Sequence, residues 1–554
     1  MEDERVSDLV ERFVDAHFEA HPEEASSLGR RDYAARLSAP SASSSATEVV
    51  GLRAALVEAD AIEASREVPL HLDAALDLDA LRRAARFHLR RLERDRDAEL
   101  LEPATLPGCA LQHSLLHART REDLEALAAR AAAVPEALAA RTRDLRRGVA
   151  EGRGPDRDVA TTFVERILPG AAAALDTMAA EVVRRFAVRD IEVTDVVARI
   201  AQSTREASAA YRQMAAFVAD EIVPRARLDV TLGREEVDFR LREVMGVETS
   251  IEVLRVRAEE RLARAHGEVI EHARATGRGD VRTASDARAA VTELFGPKPP
   301  TLEAALAHYQ TQIEASTRLA RSFVPIPDDL ALDLEPLPDG IADGSALTNW
   351  PAPLLDPKGR GHALYARDPA MHPSIMAKQL AVHECIPGHY LQSVVWQRAR
   401  PSVVRFLGVQ DDIAMAHGYF GAMVSVEGWA VHMEGLMVRE GFMDAGNERL
   451  FAAWCDAVRA VRVLLDLGLH AEGRSADEMV ARVAEATFLP EGWARQQVLR
   501  SKRIPLQSST YLIGAMEIEA LTAKAPTTTR ELEVHRRLLS VGPVPTSRLG
   551  RLFD

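Results

Sequence analysis

Leucine and alanine recur every three or four residues through long arginine- and glutamate-rich stretches of this chain, and that spacing commits most of it to amphipathic helix. In the run LDLDALRRAARFHLRRLERDRDAELL, Leu81, Ala84, Ala85 and Leu89 share one face while arginines take the other. Similar text runs from about Ala46 to Arg147 and from Pro155 to Val223, with Pro169-Gly170 as an internal break. Residues 4–35 read as one or two further helices, and Ser41 to Ser45 as a polar loop. Aromatic residues, at 5%, are scarce for a sheet protein but suit helices packed with Leu, Ala and Val. No fixed-period repeat is visible, which argues against a solenoid.

Two segments depart from the helical pattern. Leu228 to Phe239 (LDVTLGREEVDF) has β-character and predicts a strand or hairpin. Thr249 or Ser250 then opens a helix, with Glu252 at the capping-box position for Thr249. Residues 323–373 carry prolines, glycines and short apolar runs, and predict loops with two or three short strands. So long an irregular segment inside a compact protein is usually functional or a linker. The expected fold is mainly α, one large multi-helix body over residues 1–554 with a small β-hairpin or short sheet. Its approximate subdivisions are a helical N-terminal part, 1–225, and a catalytic part, 226–554.

Charge and cysteine content narrow the function. Acidic residues number 84 against 69 basic, a formal charge of −15, which argues against a nucleic-acid partner held through its phosphates. Cys109, Cys385 and Cys455 are too few and too scattered for a disulfide framework or a cysteine zinc knot. Charges begin at the second residue, without the apolar core of a signal peptide. No stretch reaches the roughly 18 apolar residues of a membrane span. These features predict a cytoplasmic protein with no membrane partner.

Pro373 is placed in the first turn of a helix running SIMAKQLAVHEC, which leads into His383-Glu384-Cys385-Ile386-Pro387-Gly388-His389. An HExxH zinc helix sets its histidines four apart, so that both rings share a face. Here Pro387 holds that place and the second histidine stands six positions on. Over six residues an unbroken helix turns by about 240°, which would send the rings apart. Pro387 removes a donor and Gly388 admits unusual dihedrals, so a break there can swing His389 back. Spacing alone leaves two readings open: a metal site, or two satisfied histidines flanking a helix end.

A wider set of blocks adds to this. HECIPGHYLQ, closed by Gln392, resembles the HExxPGHxxQ signature of the bacterial family known as domain of unknown function 885. That family is grouped with the HExxH zinc peptidases, and many members are described as lipoproteins. Glu427 to Glu434, EGWAVHME, is similar to its EGWAxYxE block, with His432 where tyrosine is usual. Asp466 to His470, DLGLH, resembles its DxGxH block. Arg500 to Gly514, RSKRIPLQSSTYLIG, resembles RYxxxPxQxxSYxxG, with Ser501 for tyrosine and Thr510 for serine. The ends agree in character too, with HPEEASSLG early and His535 with LLSVGPVP late.

The resemblance implies a gluzincin-like metallopeptidase fold in which His383, His389 and Glu427 bind Zn²⁺, with Mn²⁺ or Fe²⁺ as alternatives. It makes Glu384 the general base. Glu434 and Asp466 are candidates for the carboxylate behind a ligand imidazole. Tyr511 and His470 are candidates for donating to the oxyanion formed when water attacks a carbonyl. Arg500 could hold a substrate carboxylate or a structural ion pair. His432 in place of tyrosine could alter substrate contact or offer a fourth ligand. A second EGWA string at Glu491 follows Pro490, where an acidic residue suits a helix start whatever its function. His362, His372 and His417 lie near the motif and could line its pocket, while the remaining histidines read as core or surface residues. Cys385 reads as a small buried apolar side chain.

The expected function is hydrolysis of peptide or peptide-like amide bonds in short substrates. One alternative is a metal-dependent enzyme acting on a dedicated small metabolite in a biosynthetic pathway. The other is a helical scaffold with a vestigial site.

Overall fold

Helices occupy most of the positions at which apolar residues recur every three or four places. The computed structural model describes residues 2–187, 192–283, 285–338, 345–524 and 531–549. Helices α1 (Glu2–Ala20), α2 (Ala42–Ser65) and α3 (Leu72–Glu93) close around Val6, Phe13, Ile62 and Leu81. Helices α4 (Leu106–His117), α5 (Arg121–Ala150), α6 (Leu168–Phe186) and α7 (Thr194–Phe217) share a second core around Leu124, Leu138, Phe163 and Tyr211. The core of α1 to α3 is continuous with Val244, Trp396, Phe406 and Tyr419 of the C-terminal part. None of the described helices is long and apolar enough to cross a membrane.

In the C-terminal part α8 (Ile251–Ala275) and α9 (Leu302–Ala320) precede the irregular segment. That segment delivers three strands, β1 (Leu334–Pro336), β2 (Leu347–Trp350) and β3 (His362–Tyr365). Their order is β1-β3-β2, with β1 parallel and β2 antiparallel to β3, so Thr348 pairs with Leu364. Residues 339–344 of the segment lie outside the described residues. Helices α10 (Met376–Leu380), α11 (His389–Ala399), α12 (Asp411–His417) and α13 (Met423–Arg439) follow. Next come α14 (Gly446–His470), α15 (Ala476–Thr487), α16 (Glu491–Arg503), α17 (Thr510–Thr522) and α18 (Glu531–Ser540). The apolar faces of α8 and α14 pack together through Leu254, Ala258, Leu464 and Leu465.

Several local expectations are corrected. Leu228 to Phe239 forms no strand; Gly233, at φ +83°, gives way to the short helix Arg234–Phe239, whose first turn carries Glu235 and Glu236. Acidic residues favour a helix start, and Val237, Leu241 and Val244 then bury at helical spacing. Ser41 to Ser45 is a helix start rather than a loop, because Ser41 caps α2 by accepting the Ser44 N–H at 3.2 Å. Pro169-Gly170 does not break the chain. Pro169 sits in the first turn of α6, directly after a π turn at Phe163–Ile167. Ser250, not Thr249, caps α8, and Glu252 pairs with Arg234 instead of closing a capping box. The helix expected from Pro373 begins at Met376.

Candidate metal centre

Helix α10 does not run on regularly. Its continuation, Ala381–Cys385, widens into a π turn, and Ile386 is extended at φ −128° and ψ 122°. Gly388 caps α11, and a Cβ there would stand 1.9 Å from the His383 carbonyl oxygen, so the tight return of the chain requires glycine. His389, the first residue of α11, is thereby brought back to His383, with ring centroids 4.7 Å apart and planes at 83°. The break absorbs the six-residue spacing.

Glu427 arrives from α13, which lies directly on α17. A Cβ on Gly428 would come within 2.5 Å of the Gly514 backbone, and one on Gly514 within 1.9 Å of the Val424 carbonyl oxygen. Both glycines let the helices touch backbone to backbone, which sets Glu427 and Tyr511 on the same cavity. Glu427 Oε2 lies 3.5 Å from His383 Nε2 and 3.4 Å from His389 Nε2. A tetrahedral ion with bonds of about 2.0–2.1 Å holds its ligands about 3.3–3.4 Å apart, so the three side chains fit one. Glu427 Oε2 is buried without a hydrogen-bond partner, a state that calls for one.

Glu434, two turns further along α13, anchors this set. It faces His383 Nδ1 at 2.6 Å, and accepts from Arg459 Nη2 at 2.6 and 2.8 Å and from Gln379 Nε2 at 3.1 Å. A proton held on Nδ1 leaves the Nε2 lone pair for a metal. Burial raises the Glu427 carboxyl, but the two imidazoles outweigh it and hold it well below the carboxylate range. Burial likewise raises Glu434, yet Arg459 and His383 bring it down to about 2. Burial lowers His383 itself, but Glu427 and Glu434 outweigh it and push the ring up to about 10. The carboxylates thus call for one positive charge between them, which a ring proton or a cation at Nε2 supplies.

Glu384 borders the same cavity, of about 480 Å³. Its Oε2 accepts the Asn349 N–H of β2 at 3.0 Å, and burial raises its pKa above the ordinary glutamate value. The Tyr511 ring lies nearly parallel to His383, 6.0 Å away at 7°. Arg462 and Arg500 reach the same space. Arg462 has its guanidinium 5.9 Å from the Tyr511 ring centroid, and burial followed by Arg500 lowers it to about 10. Arg500 Nη2 donates to Gln507 Oε1 at 2.7 Å, while its buried Nε has no hydrogen-bond partner.

The other expected residues lie elsewhere. Asp466 accepts from the Ser501 and Ser509 hydroxyls at 2.5 and 2.6 Å, and His470 Nε2 donates to the Ser501 carbonyl at 3.0 Å. Neither is among the residues that wall the cavity. His432 points to His535, with Nε2 atoms 3.2 Å apart; His535 Nδ1 donates to the Phe323 carbonyl at 2.6 Å. His362 pairs with Glu335 at 2.9 Å, and His372 meets the Ala366 carbonyl at 2.9 Å. Glu491 is exposed at the start of α16. Cys385 is buried, and burial pushes its thiol well up. Sequence reasoning missed Arg459, Arg462, Gln379 and Asn349. The two arginines show only as charges in the apolar text of α14, and Asn349 acts through its backbone.

Fold and cavity together define a mainly helical protein with a candidate His-His-Glu metal centre. The chain belongs to the family described as bacterial protein of unknown function (DUF885), whose model matches residues 22–552. Two solved structures described as putative lipoproteins share its fold. One, from Colwellia psychrerythraea, is 16% identical with a TM-score of 0.81, covering 100% of this chain and 98% of that one. The other, of unknown function from Shewanella oneidensis, is 16% identical with a TM-score of 0.71, covering 99% of each chain. No curated protein matches the chain.

Proposed function

We propose that the protein is a zinc-dependent hydrolase, gluzincin-like in build, that cleaves peptide or peptide-like amide bonds in short substrates. One observation carries this reading: two imidazole Nε2 atoms converge on the unpartnered Glu427 Oε2, with Glu384 beside the first of them. Three protein ligands leave a position open, whereas a structural zinc site closes all four. When bound, the metal supplies Lewis acidity toward a carbonyl and lowers the pKa of water toward about 7.

The chain's own groups do the rest. Glu384, oriented by Asn349 N–H, takes a proton from the attacking water and delivers it to the leaving amine as the C–N bond breaks. Tyr511 stabilises the charge that develops on the carbonyl oxygen. Arg462 and Arg500 bind a free carboxylate of the substrate, a task suited to guanidinium groups. A cavity of about 480 Å³ suits a short peptide rather than a folded protein.

Two histidines and a carboxylate also suit Mn²⁺ or Fe²⁺. The test is the metal content of protein purified without added metal, followed by peptide cleavage after chelation and reconstitution. The expected result is zinc at one or more equivalents, with cleavage lost on chelation and restored by zinc. Cleavage that persists in fully stripped protein contradicts the reading.

A further inference from the structure

A second convergence of imidazoles lies among the N-terminal helices, built from histidines that the sequence scatters. His17 is in the last turn of α1, His21 follows one helical turn later, His88 belongs to α3 and His417 ends α12. All four are buried. Ring centroids stand 4.5 Å apart for His17 and His21, 5.1 Å for His17 and His88, and 5.0 Å for His21 and His88. One ring nitrogen from each of these three lies within 4.8 Å of the others. Among the described residues no hydrogen bond joins the rings to one another.

A carboxylate meets one nitrogen of two of the rings. His17 Nε2 meets Glu24 Oε2 at 2.8 Å, and His21 Nε2 meets Glu48 Oε1 at 3.2 Å. A carboxylate on one imidazole nitrogen fixes the tautomer that presents the other to a metal. His21 Nδ1 and His88 Nε2 are buried without a hydrogen-bond partner.

We propose that His17, His21 and His88 form a second site for a first-row divalent cation, zinc foremost, backed by Glu24 and Glu48. Three neutral imidazoles are a zinc ligand set with one position left over, and the two carboxylates balance the charge. His417 is not the fourth ligand. Its Nδ1 lies 3.2 Å from Arg91 Nη1, which can only donate, so the ring proton sits on the unpartnered Nε2. That N–H serves as a donor to a water or small anion at the remaining position. A cavity of about 200 Å³ bordered by His21, His88 and His417 gives such a ligand room. Helices α1, α3 and α12 carry none of the ligands of the first centre, so the two sites are independent.

The test is a Co²⁺ titration of the chelator-stripped full chain, read by metal analysis and by the visible spectrum of nitrogen-bound cobalt. The wild type should take up two equivalents. His88→Gln should take up one, His383→Ala/His389→Ala should also take up one, and the triple variant none. A wild type that binds a single equivalent lost with His383 and His389 overturns the second site, as does a His88→Gln chain that keeps two. If His88→Gln does not fold, the His383→Ala/His389→Ala chain decides alone. One equivalent with an imidazole-type spectrum upholds the site, and no uptake overturns it.

Discussion

Glu434 Oε1 lies 2.6 Å from His383 Nδ1, while the other nitrogen of that ring faces Glu427, seven residues earlier on the same helix. Seven residues make two turns of about 10.5 Å, which returns both glutamates to nearly one face of α13. One imidazole therefore links two carboxylates, and under the proposed function Glu427 would bind the ion while Glu434 orients the ring.

Glu434→Gln tests the orienting task. Loss of a carboxylate behind a ligand histidine lowers metal affinity about 10- to 100-fold. It also leaves the buried Arg459 without its counter-charge, at a cost of about 3–5 kcal/mol. Competition with a chromophoric chelator reads the first effect and urea unfolding the second. Unchanged affinity would remove Glu434 from the account.

The contact of Gly428 with Gly514 makes a sharper steric prediction. Gly514→Ala puts a Cβ 1.9 Å from the Val424 carbonyl, and Gly428→Ala puts one 2.5 Å from the Gly514 backbone. Overpacking of this kind costs about 1–3 kcal/mol. Because α13 carries Glu427, metal affinity should fall together with stability. An alanine variant as stable as the wild type would show that the helices can part freely.

Asp466 sets a pH dependence away from the candidate metal centre. Burial raises its pKa to about 6, against the Ser501 and Ser509 hydrogen bonds that favour the charged form. A carboxyl whose folded pKa exceeds its unfolded value of about 3.9 contributes stability that is complete below pH 3.9. That contribution is lost as pH rises through about 6, and amounts to about 3 kcal/mol. Unfolding titrations between pH 4 and 7 should show the decline in the wild type and a flatter profile in Asp466→Asn. Identical profiles would mean that the carboxyl titrates normally.

Arg462 and Arg500 predict a preference for substrates with a free carboxylate. Replacing either by glutamine should raise KM about 10- to 100-fold for such substrates, the worth of a hydrogen bond to a charged group. Amidated counterparts should be affected far less. Equal effects on both would assign the arginines to structure.

How far the sequence disclosed this arrangement varied with the kind of interaction. Apolar periodicity located α3, α5 and α7 because helix burial repeats along the chain. The proline- and glycine-rich text of 323–373 correctly implied short strands, for such residues end elements wherever they occur. Ser41 and Leu228 to Phe239 form something other than their text suggests, because serine serves both caps and loops, and because a β-rich run of five residues before a glycine does not foretell the acidic helix start after it. The break at Pro387-Gly388 was legible, but that it returns His389 to His383 depends on the close approach of Gly388 to the His383 carbonyl. His17, His21, His88 and His417 span 400 positions, and no local pattern links them.

The most direct test compares the zinc-loaded wild type with Glu384→Gln on a peptide library, with products read by mass spectrometry and zinc measured in both proteins. General-base catalysis contributes about 10²–10⁴-fold. The account predicts equal zinc in the two proteins, cleavage of short peptides by the wild type, and a loss of at least about 100-fold in the variant. Full activity in zinc-loaded Glu384→Gln, or no cleavage of any peptide by the zinc-loaded wild type, would contradict it.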